Sequence, residues 1–226
     1  MTITFAGMPD EGLAFLEDLE DRNTKEFFDA NKAVFRERVQ APFAALVEAA
    51  AARLRRTVPD LGQPKVFRIY RDLRFSRDKT PYKTSMSASV PSRPAGEGGG
   101  PGVDTGFYVN VGPAGLYVAS GLYHPARPEL ERVRAAIADP GTGPELEALL
   151  AKAAGKGLEP YLDPLQRMPK PFPADHPRAG LLKARSLVLN RQHERAPWLR
   201  TAELLDHLVA DWKAMIPFNR WLEAVP

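Results

Sequence analysis

Residues 105–122 read TGFYVNVGPAGLYVASGL. Two segments of alternating character, TGFYVNV and LYVASGL, flank Gly112-Pro113-Ala114-Gly115, a short connection of the kind that joins hairpin strands. Upstream, Thr84, Met86, Ala88 and Val90 alternate with Lys83, Ser85, Ser87 and Ser89. Before that, Phe67, Ile69, Leu73 and Phe75 alternate with Arg68, Tyr70, Asp72 and Arg74. Both patterns have the period of a strand with one face on a core, so four strands are expected in succession, with SRDKTPY as the loop between the first two. ARSLVLNRQ, residues 184–192, adds a strand later in the chain.

The flanks change period. Leu13, Phe15, Leu16 and Leu19 predict a short helix ending near Asp21. Asn23, three residues before Glu26, signals the start of a long amphipathic helix carried by Phe28, Phe35, Val39, Phe43, Val47, Ala50 and Leu54. Pro42 lacks a donor and is expected to kink or break that helix. PELERVRAAIA and PELEALLAKAA predict two more helices, AGLLKA a turn or two, and Leu205, Leu208, Trp212, Met215 and Trp221 a C-terminal helix that tolerates Pro217. Hairpins clustered between helical blocks predict an α+β fold, an antiparallel-dominated sheet flanked by long N-terminal and C-terminal helices. No composition break divides residues 1–226, so a single domain is expected.

Composition narrows the function classes. With 226 residues and 44% hydrophobic content the chain can bury a sizeable core. It has no cysteine, which excludes a thiolate nucleophile, a disulfide framework and a thiolate metal site. No apolar run approaches a membrane span and the N-terminus lacks the pattern of a signal peptide, so a cytoplasmic protein with no membrane partner is expected. GEGGGPG lacks the final glycine and the preceding strand of a dinucleotide fingerprint. Ser120 lacks the glycines of a nucleophile elbow, and the four histidines show no metal-binding spacing, so neither metal nor cofactor is expected.

Positive charge is concentrated. From Lys65 to Arg93 eight basic residues stand against Asp72 and Asp78, a net +6 in a chain whose total is +3, so the rest sums to −3. Arg68, Arg74, Arg77, Lys79 and Lys83 are the candidate ligand-binding residues, because guanidinium forks and ammonium groups hold phosphate or carboxylate oxygens. Arg71, Asp72, Asp78 and Tyr82 are assigned structural or orienting roles. Arg71 falls on the apolar side of its strand and is expected to be mostly buried and paired with a carboxylate. Asp78 is expected to accept from its own turn, and Pro81 to fix the loop. The candidate acids and bases are Asp72, Asp78, Tyr82, Tyr123 and His124. Residues 91–102, rich in Gly and Pro, read as a flexible loop able to close over a ligand.

RDLRFSRDKTPYK at 71–83, with NTKEFFDANKAVF at 23–35 and the later GLYHP and ELERVR, resembles a family of conserved hypothetical bacterial proteins, a domain of unknown function also found in fungi. Arg71, Asp72, Arg74, Phe75, Ser76, Asp78, Lys79, Thr80, Pro81, Tyr82 and Lys83 match its motif, while Phe27 stands where the family usually has tryptophan. The resemblance implies an intracellular α+β protein with no assigned reaction. Three functions are therefore carried forward. The first is binding of a small anionic or phosphorylated ligand at the basic hairpin, with catalysis open. The second is nucleic-acid binding, with Tyr70, Phe75 or Tyr82 stacking on bases. The third is an interaction module in which the motif is mainly structural.

Overall fold

In a computed structural model, residues 5–74, 77–93 and 105–226 are described. Phe75 and Ser76 of the motif, and the predicted loop beyond Arg93, lie outside the described residues. Helix α1 spans Asp10–Asp21 and buries Leu13, Phe15, Leu16 and Leu19, the face its spacing predicts. The second helical block is interrupted. It runs as α2 (Lys25–Ala30), α3 (Lys32–Val34), a π-helical turn Phe35–Gln40 and α4 (Ala41–Leu54).

Pro42 explains the wide turn. It offers no N–H to the Arg38 carbonyl, and the chain accommodates this with longer-range bonds, Ala41 N–H donating to Arg36 O. The Arg38 carbonyl then faces Gly12 of α1, where a Cβ atom would come to 2.0 Å from its oxygen. Only glycine lets the two helices approach this closely. The helix start also lies one residue later than the pattern suggests, because Thr24 caps α2 by accepting from Phe27 N–H at 3.2 Å. Asn23 is thereby left for a tertiary contact.

The described strands form one antiparallel sheet: β1 (Lys65–Val66), β2 (Met86–Pro91), β3 (Gly106–Gly112), β4 (Gly115–Leu122), β5 (Glu159–Tyr161) and β6 (Leu187–His193), in the order β1-β2-β3-β4-β6-β5. Between β4 and β5 come α5 (Arg127–Ala138) and α6 (Thr142–Ala154). Helix α7 (Ala179–Leu182) precedes β6, and α8 (Glu203–Glu223) closes the chain and continues through Pro217. The α+β class, the antiparallel sheet and the terminal helices agree with the sequence pattern. Among the described residues, no helix is long and apolar enough to cross a membrane.

The predicted first strand is mostly absent. After β1, Phe67 N–H still reaches Ser87 O at 2.8 Å. Pairing then resumes with Lys83 N–H on Ile69 O and Arg71 N–H on Pro81 O. Two residues of this segment thus oppose four of the other, and Thr84 and Ser85 bend out as a bulge. Strand β5 was not visible in its proline-rich surroundings; it forms because β6 offers an edge to pair with.

Burial follows the alternation. Met86, Ala88, Val90, Phe107, Val109, Val111, Leu116 and Val118 face the core against α4 and α8, where Trp212 is fully buried and packs on Phe107. Next to Trp212, in the middle of α8, Asp211 is buried and takes Arg191 Nη1 at 3.2 Å and His193 Nε2 at 2.5 Å. That cluster ties β6 to the helix.

Candidate functional site

The motif hairpin is held from below by aromatic packing. Tyr82 is 3% exposed and its ring lies parallel to that of Phe28, with centroids 4.1 Å apart; Phe15, Phe35 and Tyr70 complete the cluster. Asn23 clasps the Tyr82 backbone, with Nδ2 donating to Tyr82 O and Oδ1 accepting from Tyr82 N–H, both at 3.0 Å. A side chain from the α1–α2 junction thus imitates a strand neighbour. Burial, with Tyr70 beside it, pushes the Tyr82 hydroxyl pKa up. A ring enclosed in this way cannot stack on a base, which removes one of the three aromatics invoked for nucleic acid.

Most of the charged groups above this floor are engaged within the hairpin. Arg71 donates to Asp78 Oδ2 at 2.5 Å and to Thr80 Oγ1 at 2.7 Å. Its side chain is 33% exposed, so the expected pairing with a carboxylate is present in a partly buried setting, where the loss of regular pairing beyond Arg71 turns the side chain along the loop. Asp78 also accepts from Thr80 N–H at 2.9 Å; that backbone bond, followed by the Thr80 hydroxyl and Arg71, holds its carboxyl below the usual range. Arg74 grips Asp72 with Nε at 2.9 Å and Nη2 at 2.6 Å, lowering the Asp72 pKa and raising its own. Lys79 Nζ donates to Leu73 O at 3.0 Å.

The remaining candidates separate. Arg68 and Arg77 are exposed and make no ion pair among the described residues. Lys83 leaves the tip and sits, with Lys65, 5.9 Å from the centre of the Phe67 ring. The five basic residues are therefore not gathered around one point. Tyr123, 68% exposed, and His124 lie beyond the end of β4, where His124 Nε2 is 4.0 Å from Asp163.

A second feature lies on the face of the sheet turned away from the core. Paired residues share a face, so the registers define continuous rows across the strands. One row reads Lys65, Ser89, Tyr108, Ala119, Asn190, Glu159. The next begins at Phe67 and continues through Ser87, Asn110, Tyr117 and Gln192. A third joins Pro91, Gly106, Gly121, Val188 and Tyr161. Over these rows runs a groove of about 700 Å³ in which four of the six tyrosines, Tyr108, Tyr117, Tyr123 and Tyr161, stand around a floor of Gly106, Ala119 and Gly121.

None of the described residues lining this groove is charged. Tyr108 meets Tyr117 edge-on at 6.1 Å and Tyr123 lies 6.4 Å from Tyr161. Burial, reinforced by Tyr108, Tyr161 and Tyr123, raises the Tyr117 pKa and keeps its hydroxyl a donor. On the core side beneath the floor, Ser120 donates to Gly106 O at 2.9 Å and accepts from Asn219 Nδ2 of α8 at 2.6 Å, so its oxygen has no base to activate it. Among the described residues no group of three His, Cys, Asp or Glu is placed to hold a metal.

Tyr108, Tyr117 and Tyr161 were not among the sequence candidates. A signal did exist. On a sheet face wetted by water the outward positions of β2, β3 and β4 should carry charges, yet here they carry Ser, Pro, Gly, Tyr, Asn and Ala.

Fold and site together describe an α+β protein whose antiparallel sheet packs one face on helices and bears a tyrosine-lined groove on the other. The chain belongs to the conserved hypothetical protein family DUF2461, whose family model matches residues 11–221. Comparison with curated proteins returned no match.

Proposed function

We propose that this protein binds a small ring-bearing organic molecule in the groove on the outer face of its sheet. The carrying observation is the set of four tyrosines around an uncharged floor, in a volume within the usual range for small-molecule pockets. Tyrosine faces stack on planar rings while their hydroxyls supply directional hydrogen bonds. Among the described residues the lining offers donors but no carboxylate or imidazole, which favours binding over proton-transfer chemistry. Ala119 lies at the centre of the floor, so Ala119→Phe should fill the groove without touching the motif. In a thermal-shift screen of ring-bearing fragments, stabilisation of the wild type should vanish in Ala119→Phe and persist in Arg74→Ala and Lys79→Ala. Binding that survives Ala119→Phe, in a variant whose own unfolding temperature is unchanged, overturns the proposal.

A second reading keeps the small anionic ligand at the hairpin tip, supported by the exposed Arg68 and Arg77, which lack ion pairs among the described residues. On that reading phosphate or sulfate should stabilise the protein, and Arg68→Ala with Arg77→Ala should abolish the effect. Retention on nucleic acid with a salt slope near −0.9 per phosphate contacted, about five contacts if all five basic residues engage, would favour the nucleic-acid alternative instead.

A further inference from the structure

We infer that the molecule bound in the groove carries an acidic group, a carboxylate or phosphate, that docks at the β1 rim while its ring lies among the tyrosines. The inference rests on the groove reading above and adds the chemical class and orientation of the ligand. Its basis is the asymmetry of one row. Across the sheet the outward positions run from Lys65 at one edge, through four uncharged residues, to Glu159 at the other.

The positive edge is doubled. Phe67, in the adjacent row, holds both Lys65 Nζ and Lys83 Nζ at 5.9 Å from its ring centre. Ring quadrupoles attract ammonium groups without neutralising them. Neither lysine makes an ion pair among the described residues, so two like charges share one ring with no carboxylate between them. An anion at that rim would be drawn by the field of both. At the opposite rim the row ends on Glu159, which makes no ion pair among the described residues, while the neighbouring Asp163 is neutralised by Arg185 Nη2 at 2.6 Å, so the uncompensated charge that ends the row is negative. An acidic ligand is thus repelled from the β5 side and drawn to the β1 side.

Strand spacing sets the length. Neighbouring strands lie about 4.8 Å apart, so Lys65 on β1 and Tyr108 on β3 are separated by roughly 10 Å along the row, the reach of a ring bearing a short acidic arm. Hydrogen-bonding groups lie along that path, Ser89 in the same row and Asn110, whose Nδ2 donates to Ser85 Oγ at 2.8 Å, in the next. The charge excess of the Lys65–Arg93 segment thereby acquires a structural destination at its base, through Lys65 and Lys83, rather than at its tip.

The test uses matched probes with and without the acidic group: adenosine against adenosine monophosphate, tryptophol against indole-3-acetate, and phenol against phenyl phosphate. Affinities are measured by titration calorimetry on the wild type, Lys65→Met/Lys83→Met, Ala119→Phe and Arg74→Ala. In at least one pair the acidic member should bind the wild type about tenfold more tightly than its neutral partner. The double lysine variant should lose that preference while keeping the affinity for the neutral member, and Arg74→Ala should keep both. Equal affinities within every pair, or a preference that survives Lys65→Met/Lys83→Met, overturn the inference while leaving the groove reading standing. If no probe binds, or if binding survives Ala119→Phe, the groove reading itself fails.

Discussion

Asn23 joins the N-terminal helices to the motif through two hydrogen bonds to a single residue, and its removal can be worked through in numbers. Asn23→Ala deletes the bonds to Tyr82 O and Tyr82 N–H, both 3.0 Å long and partly buried. Each is worth about 1 kcal/mol net, and stranding the two backbone groups adds part of a penalty of about 1–3 kcal/mol apiece, reduced where water can enter. The total is roughly 2–3 kcal/mol. For a chain of this size a urea slope of roughly 3 kcal/mol per molar converts that into a midpoint lowered by about 1 M. Thr24→Ala, which removes only the local cap on α2, should cost about 1 kcal/mol. The assay is equilibrium urea unfolding followed by tryptophan fluorescence, paired with amide hydrogen exchange at Tyr82. Exchange at that amide should accelerate strongly in Asn23→Ala and stay unchanged in Thr24→Ala. A loss below roughly 0.5 kcal/mol in Asn23→Ala, or unaltered protection at Tyr82, would refute the idea that this clasp anchors the hairpin.

Three further outcomes follow from the same structure. Gly12→Ala gains about 1 kcal/mol in helix propensity, but its Cβ would sit 2.0 Å from the Arg38 carbonyl oxygen, so the urea midpoint should fall rather than rise. Arg71→Ala should cost about 1–2 kcal/mol, the loss of its bonds to Asp78 and Thr80 partly screened by solvent, and Arg77→Ala less than roughly 0.5 kcal/mol; equal effects would remove the structural role of Arg71. Tyr82 and Tyr117 have hydroxyl pKa values raised by burial, so the unfolded chain loses these protons first and stability should fall as pH climbs above about 10. Stability curves of Tyr82→Phe and Tyr117→Phe should be flatter in that range, and curves that superimpose on the wild type would contradict the assignment.

The ends of the chain and the central hairpin are legible in the sequence for a simple reason. Burial of one face imposes period 3.6 on Leu13, Leu16 and Leu19 and period 2 on Val109, Val111, Leu116 and Val118, and these periods survive whatever the elements pack against. Pro42 likewise announces a disturbance from its own covalent structure, although only packing against Gly12 shows how the disturbance is used. The segment after Val66 alternates as clearly as β3 and still fails to form a continuous strand. Strand status requires a partner in register, and the bulge at Thr84 and Ser85 belongs to that partner.

The motif divides in the same way. That Asp78 serves its own turn and that Arg71 pairs with a carboxylate are local outcomes, set by residues within ten positions of each other. The neutralisation of Arg74 by Asp72, two residues away, is local as well, whereas the separation of Lys83 from Lys79 and the placing of Lys83 and Lys65 about one ring depend on the path of the loop and on strand pairing. Sequence alone determined the helical and strand periods, the absence of thiol chemistry and the local excess of positive charge. Tertiary structure decided which charges stay free and which outward side chains become neighbours, because a row such as Lys65, Ser89, Tyr108, Ala119, Asn190 and Glu159 exists only once strands distant in the chain have paired in one register.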